Sequence, residues 1–465
     1  MKSKILKALK WMVGGSLLFL VVLVACWNLI PDEALNPEAA KFIAIATPPA
    51  PENNAFYSIY GFESSPELDP HEVGKAIVAA HDRILATEKQ LQDFKMALFL
   101  GANRLAMPVP YERLCDTAKD NCLLVYQQKR EEVAKQTEQY SVYLARIRKI
   151  RTYPEYAFAL SQLSHHVTVP SWSQLMRISD LVDAGIAIRM EAPQSQAGAL
   201  KELVDEIASW KRMLQSNDWL LTQMISEVVL KRKYQLAGEI MNKYPALVGE
   251  YPNEFRLITA PLQPAQTKVS LSVGVEARTS IVTFKRTGEM RTYFADSFFE
   301  GMPGPPLMAA FYLGGYKPNA SINRAHAAFK SIFDHLSKSP REMLATQSQH
   351  DRDLANMLEF DLKSLFYNPV GQASVKSIYP NFGQYANRVH NLIGLTRLVE
   401  LQRQAIEKKL SASEIPAFLA NAGPGLMDPY TETPMKWDAN TKRISFELHN
   451  KRHDNYGYVT LETVK

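Results

Sequence analysis

Between Trp11 and Ile30 the chain carries twenty residues, WMVGGSLLFLVVLVACWNLI, without one charge. As a helix such a run is about 30 Å long, the thickness of a bilayer's hydrocarbon core. Lys2, Lys4, Lys7 and Lys10 precede it, and Asp32 and Glu33 follow it. The positive-inside bias keeps those lysines in the cytoplasm. The rest of the 465-residue chain is therefore expected on the far side of an inner membrane, in a periplasm-like compartment, tied to the lipid bilayer through residues 11–30.

Two other readings of this segment stay open. A cleavable signal peptide has a shorter apolar core of roughly 7–15 residues and then a small-residue cleavage site, whereas here Trp27-Asn28-Leu29-Ile30 extends the run. Leu23-Val24-Ala25-Cys26 resembles the lipobox of bacterial lipoproteins, in which the cysteine is lipidated and becomes the mature N-terminus. Cys26 is then the lipidation site, with bulky Trp27 an unusual residue to follow it. A retained signal-anchor and a lipoprotein lead to the same arrangement, a folded body tethered to a membrane.

Apolar residues make up 46% of the chain and charged residues 22%, ordinary for a globular body. Four of the charges behind the net +5 are the N-terminal lysines, so the body is nearly neutral. With no basic stripe and no nucleic-acid module, no nucleic-acid partner is expected. Besides Cys26 there are only Cys115 and Cys122, spaced Cys-x6-Cys. In an oxidising compartment that pair most simply forms a local disulfide, worth about 2–3 kcal/mol on the chain-entropy account. A redox pair would more typically be Cys-x-x-Cys, and a zinc site needs about four ligands.

Residues 31–55, with Pro31, Pro37, Pro48, Pro49 and Pro51, are expected to be a spacer between membrane and body. The aromatic-rich stretch Asn54–Phe62 suits packing on the body, or contact with a membrane surface. From 56 to 245 the pattern is a helical domain. Apolar residues from Val73 to Leu105 recur at helical spacing, and Cys122–Ile150 is expected to be a second long helix, the two making an antiparallel hairpin clipped by the disulfide. After a break at Pro154–Pro170, Ser171-Trp-Ser-Gln174 has the form of a capping box. Helices are then expected at 171–190, 197–214 and 217–243, with connections short enough for an antiparallel bundle.

From 246 to 465 an α+β domain is expected. The alternation in Lys268–Val275 and the β-rich Ser280–Phe284 predict a small β-hairpin near 268–295. Gly301–Gly315 is a Gly/Pro-rich apolar patch, too short and broken to span a membrane, either a buried loop or a docking surface. Further helices are predicted at 321–337, 341–360 and 382–410, a capping box at Ser411–Glu414, and short strands at 442–448 and 457–463. The expected fold is thus mainly α: a transmembrane helix, a bundle of helical hairpins, and small β elements.

The segment Asp428-Pro429-Tyr430 followed by Pro434 resembles the C-terminal element of type II secretion pseudopilin-like proteins, a helix and loop followed by an Asp-Pro-aromatic…Pro turn that leads into a hairpin. The likeness covers 392–463. Single-pass bacterial envelope proteins with a large helical region end in a similar way. Glu432 stands where that turn usually carries glycine, and Asp438, Asp454 and scattered asparagines replace an acidic calcium loop. The N-terminus also lacks the glycine cleavage site and glutamate of a prepilin, so a pilin subunit is not expected.

No Gly-x-Ser-x-Gly, His-Glu-x-x-His or P-loop occurs. His165-His166 could supply metal ligands, though adjacent histidines without a third partner are ordinary helix-end residues, while Asp334-His335 and His350-Asp351-Arg352-Asp353 bring imidazoles near carboxylates, as general acid–base chemistry requires. On helices the same mixture is ordinary for a solvated or salt-bridged face. No catalytic residue, metal or cofactor is assigned from these residues. The expected role is a non-catalytic scaffold or protein-binding module of the cell envelope with an envelope protein as partner. The alternative is an envelope hydrolase acting on cell-wall polymer. A polar cleft gathering His335, His350 or His165 would favour the enzyme, and an exposed apolar groove the binder.

Overall fold

Prolines that punctuate the sequence as breaks turn out to start helices. Pro37, Pro193, Pro252, Pro318, Pro340 and Pro369 each stand in the first turn of one, where the missing N–H costs nothing and the fixed φ is already helical. Asn36, Asn54, Asn121, Ser339, Asp361 and Asn368 cap six helix starts through side-chain oxygens. The structure, a computed structural model, describes residues 2–45, 49–86, 105, 113–117, 119–161, 169–216, 218–289, 310, 313–379, 382–449 and 457–462.

Helix α1 (Lys2–Leu29) stands out from the body and is exposed over most of its length. Its stretch Leu9–Leu29 is long and apolar enough to cross a membrane. The expected spacer is strapped along the body instead: α2 (Pro37–Ile43) packs Ala39, Phe42 and Ile43 into the second of three apolar clusters. In α3 (Ala55–Tyr60) the aromatic stretch is buried, with Phe56 and Ile59 1% exposed, so packing on the body accounts for it. Helix α4 (Pro70–Ala86) crosses α3 at backbone contact. A Cβ on Gly74 would come within 1.7 Å of the Tyr57 carbonyl oxygen, so only glycine fits. Residues 87–104, the far end of the predicted first hairpin helix, lie outside the described residues.

The predicted single helix over 122–150 is three pieces, α5 (Cys122–Gln128), α6 (Arg130–Gln139) and α7 (Ser141–Thr152), broken at Lys129 and Tyr140. Each break re-aims the apolar face, so that Val133, Tyr140, Tyr143, Leu144, Ile147 and Ile150 all reach the main core. The bundle follows as α8 (Trp172–Arg189), α9 (Pro193–Leu214) and α10 (Leu220–Lys243), close to the predicted spans. No side-chain cap forms at Ser171. Short helices α11 (Ala246–Glu250) and α12 (Pro252–Thr259) lead on.

The β-hairpin expected near 268–295 is not formed over its described part, which is helix α13 (Val269–Glu289); residues 290–295 lie outside the described residues. Val269, Val273, Ala277, Ile281 and Phe284 are buried at helical spacing, while Leu271, which a strand would have put on the same face, is 39% exposed. The hydroxyls that made the stretch look β-rich are satisfied inside the helix: Thr279 donates to the Val275 carbonyl at 2.8 Å and Thr283 to Thr279 at 2.9 Å.

Then come α14 (Pro318–Leu336), α15 (Pro340–Met357), the short α16 (Leu362–Tyr367) and α17 (Pro369–Ser377). Helix α18 (Phe382–Glu407) is buried on all sides, the mark of a central element. Its first turns join the second cluster through Phe382, Ala386 and Val389, and the remainder joins the main core through Leu392 to Ala405. Helices α10 and α13 also contribute to both, so one framework draws on residues from either side of position 245.

Past α18, Ser411 and Glu414 do pair, with the Glu414 carboxylate accepting from Ser411 N at 2.7 Å and Oγ at 2.6 Å. They close the turn ahead of α19 (Ile415–Ala420) rather than cap its first residue. The C-terminal strands β1 (Lys436–Asp438), β2 (Arg443–Ser445) and β3 (Tyr458–Thr460) form an antiparallel meander in that order, Ile444 pairing with both Trp437 and Val459. Phe446 seats the sheet on α18 over Gly394, where a Cβ would come within 2.3 Å of its ring.

Inside the bundle lies a cluster of charges. Lys233 on α10 is fully buried and reaches Asp183 of α8 at 2.6 Å and Glu206 of α9 at 2.8 Å. Arg151 of α7 lies 2.9 Å from both Glu206 and Glu202. Burial works to raise the Glu202 carboxyl, yet the guanidinium groups of Arg151, Arg189 and Arg148 pull it down to about 2. Removing one partner strands buried charge. Lys233→Ala is expected to destabilise the chain by about 3–5 kcal/mol in chemical denaturation of the detergent-solubilised protein. Lys233→Met with Asp183→Leu should recover part of that loss, since Glu206 keeps Arg151.

Candidate functional site

The last turns of α1 are fastened to the body. Leu23 and Trp27, both nearly fully buried, pack against Ala310, Tyr316, Val370, Leu365 and Phe366. Trp27 Nε1 donates to the Leu365 carbonyl at 2.9 Å, and Asn28 Nδ2 to that of Leu313 at 2.8 Å. Lys317 Nζ donates to the carbonyls of Trp27 and Ile30, each at 2.7 Å. Those carbonyls end the helix and lack intrahelical partners, and a cation there also complements the helix dipole. In the other direction, Asp32 accepts from the backbone amides of Asn319 (2.8 Å) and Ala320 (3.1 Å) in the first turn of α14. Asn323 Nδ2 donates to Glu33 Oε1 and to the Ala34 carbonyl. Two helix ends thus cap one another across nearly 290 residues of sequence.

Of the apolar patch 301–315, the described residues Ala310 and 313–315 belong to this joint. Gly314 has φ +97°, and a Cβ there would meet Asn28 Oδ1 at 2.8 Å. Residues 301–309 and 311–312 lie outside the described residues. The Cys26 thiol is free and half-buried.

A second feature is built from α14 and α15, a hairpin whose turn carries a complete capping box at Ser339 and Glu342. Folding about that turn brings His335 and His350 face to face, ring centroids 4.1 Å apart and planes parallel within 1°. They border a cavity of 530 Å³ whose other walls include Ile332, Leu336, Leu354, Tyr379 and Phe382. His335 Nε2 lies 3.0 Å from Gln347 Oε1, and Gln347 Nε2 donates to Asp351 at 2.7 Å. His335 Nδ1 is buried with no partner among the described residues. Burial holds both imidazoles below their ordinary range, reinforced at His350 by the His335 ring and opposed at His335 by the hydrogen bond to Gln347. Both are therefore neutral at pH 7.

Chemically this is a neutral imidazole pair with one unfilled acceptor in a cleft of mixed polarity, whose walls also carry Asp351, Asn356, Glu359 and Lys376. Gln347 stands between His335 and Asp351, so the carboxylate does not polarise the ring directly. No Ser, Thr or Cys is among the described residues lining the cavity. His165 and His166 lie outside the described residues. On the other side of Phe382 a groove of 470 Å³ is lined by Leu220, Leu221, Met224, Phe329 and Tyr385, with Glu276 at its wall.

Cys115 and Cys122 are joined as a disulfide with Cα atoms 5.7 Å apart. Its loop is held to α10 by Glu239, which accepts from the Leu123 amide at 2.8 Å and the Cys122 amide at 3.3 Å. At the Asp-Pro-aromatic turn, buried Asp428 accepts from the Tyr430 amide at 2.8 Å. Tyr430 Oη donates to Asn391 Oδ1 on α18 at 2.8 Å. Pro429 is buried and Pro434 exposed. The Asp438 carboxylate accepts from Asn440 N and Thr441 Oγ1 in the β1–β2 turn, and Asp454 lies outside the described residues. No group of three or more metal-ligating side chains converges among the described residues.

Sequence reasoning named His335 and His350 separately and missed their pairing. The usable signal was the Ser339-Pro340-Arg341-Glu342 box, which marks a hairpin and puts the two positions opposite each other. The joint residues Trp27, Lys317 and Asp32 gave no such local signal.

Glu432 has φ +58°, a left-handed conformation that glycine adopts without strain. Its ion pair with Arg341 at 2.9 Å is exposed and contributes little. Glu432→Gly should therefore stabilise, by no more than about 1 kcal/mol, while β-branched Glu432→Val destabilises; thermal melts distinguish the two. Burial pushes the Glu276 carboxyl from 4.5 up to about 7. The folded chain then holds this proton more tightly than the unfolded one, a contribution present below pH 4.5 and lost as pH rises through 7. The stability of Glu276→Gln relative to the native chain should therefore grow from pH 5 to pH 8 in denaturant titrations.

Comparison of the chain with protein-family models, with curated proteins and with solved structures returns no match.

Proposed function

We propose that this chain is a membrane-tethered scaffold or protein-binding module of the bacterial cell envelope, non-catalytic, with its N-terminus in the cytoplasm and its body in the periplasm. The observation that carries the reading is the joint at Trp27, Asn28, Lys317 and Asp32. A catalytic domain on a membrane anchor needs only a flexible linker. Here the helix end is hydrogen-bonded into the body, which fixes the body's orientation and distance relative to the lipid, as a platform requires. Two grooves that meet at Phe382 supply apolar walls suited to an amphipathic helix of an envelope partner. The disulfide suits an oxidising compartment, and the pseudopilin-like ending at 392–463 fits an envelope assembly.

Whether the tether is α1 or a lipid on Cys26 leaves the platform intact, because Trp27, Asn28, Ile30 and Asp32 all follow Cys26. The hydrolase alternative is favoured by one observation, the unpartnered Nδ1 of His335 in its cleft.

Crosslinked affinity capture from native membranes tests the proposal. A single stoichiometric envelope partner, lost on Leu221→Asp at the exposed rim of the groove, is the expected result. Recovery of the chain alone with several crosslinkers, together with cell-wall hydrolysis by the purified protein that His335→Gln abolishes, overturns it in favour of the enzyme.

A further inference from the structure

The body presents apolar side chains to solvent beside α1, and their level along that helix decides what covers them. Leu362 is 71% exposed, Phe360 41% and Leu313 43%. Leu365 and Phe366 of α16 pack directly on α1, the Phe366 ring meeting the Phe19 ring edge-on with centroids 5.9 Å apart. Phe19 lies eleven residues before Ile30, so along the axis it is about 16 Å short of the end of the apolar run, near half of a ~30 Å hydrocarbon core. Drawing the boundary at Trp27 instead still leaves Phe19 about 12 Å inside. Phe19 keeps 49% of its own surface exposed, so the apolar surfaces of helix and body are continuous.

We propose that the segment Phe360–Phe366 is a second membrane contact, an interfacial element whose apolar side chains sit in the leaflet on the body's side. This rests on the reading that α1 crosses the bilayer. If α1 is in lipid, the Phe366 ring packed on Phe19 is at hydrocarbon depth, and the proposal takes exposed Leu362 and Phe360, four and six residues before it, into the same leaflet. The exposed charges of the same segment, Asp361 and Lys363, belong at the boundary, where Asp361 caps the start of α16 by accepting from Ser364. Trp27 Nε1 donates to the α16 backbone at Leu365 and Tyr367 Oη lies 3.4 Å from Asp32, so α16 is tied both to the buried end of α1 and to the polar residues that follow it. Exposed Lys363 has the length to carry its ammonium up to the headgroups. The contact would add a second point of membrane attachment to the one that α1 provides.

The test uses the full chain in nanodiscs of zwitterionic and anionic phospholipid, with Cys26→Ser so that one introduced thiol is labelled. Nitroxides at Leu362→Cys, at Leu17→Cys on the exposed face of α1 and at Leu257→Cys on the body are compared by collision with oxygen, which enters lipid, and with a water-soluble nickel chelate. The expected result is a label at 362 that resembles 17 and differs from 257, oxygen-accessible and shielded from nickel. A label at 362 as open to nickel as that at 257, with 17 still in lipid, overturns the second contact alone. Shielding of 362 from both reagents means that protein covers the segment, and also overturns it. Nickel access at 17 as well means that α1 is not in the bilayer, and the anchor reading falls with the proposal.

Discussion

Lys233 has no access to water, and that constrains everything packed around it. An ammonium in such a place survives only with carboxylates against it. Those carboxylates come from two other helices, Asp183 on α8 and Glu206 on α9. The two carboxylates raise the Lys233 ammonium above its ordinary range against the pull of burial, so it stays charged. Glu206 extends the cluster to Arg151 on α7, and Glu202 one turn away takes Arg151, Arg189 and Arg148. Apolar packing alone tolerates a helix sliding by a turn, whereas a buried charge that must meet two partners does not. The registers of α7, α8, α9 and α10 are fixed together in this way.

On that framework α18 acts as the common wall. Its first turns belong to one apolar cluster and its remainder to another, and the C-terminal sheet rests on it through Phe446 and Tyr430. Rigidity therefore runs from the charged cluster through α10 and α18 to the hairpin of α14 and α15. From there it reaches α1 through Lys317 and Asn319. A helix long and apolar enough to cross a membrane is thus packed into the body at its last turns, and Phe366 of α16 meets Phe19 beside the same joint.

The histidine cleft shows how proximity differs from machinery. Two imidazoles, a glutamine and a carboxylate converge, yet burial keeps the rings neutral, and Asp351 hydrogen-bonds to Gln347 and to neither ring. What remains is a shaped recess of mixed polarity with an acceptor inside and no Ser, Thr or Cys nucleophile among its described lining residues.

By itself the sequence determined the apolar helix, the predominance of α structure, the bundle helices near 171–243, and the Cys115–Cys122 bridge, all of which depend on local composition, periodicity or close spacing. It misjudged 269–289, where hydroxyl and β-branched residues mimic a strand until the buried set Val273, Ala277 and Ile281 is known; which face is buried is a property of the neighbours. Within the spacer expected at 31–55 it gave no sign of helix α2 over Pro37–Ile43, because a proline that opens a helix and one that interrupts a linker look the same in isolation. Only the tertiary structure decided that Lys317 caps α1, that Asp32 caps α14, and that His335 meets His350. Each of these is a pairing across distance in the chain, and long-range pairing leaves no local mark in one sequence.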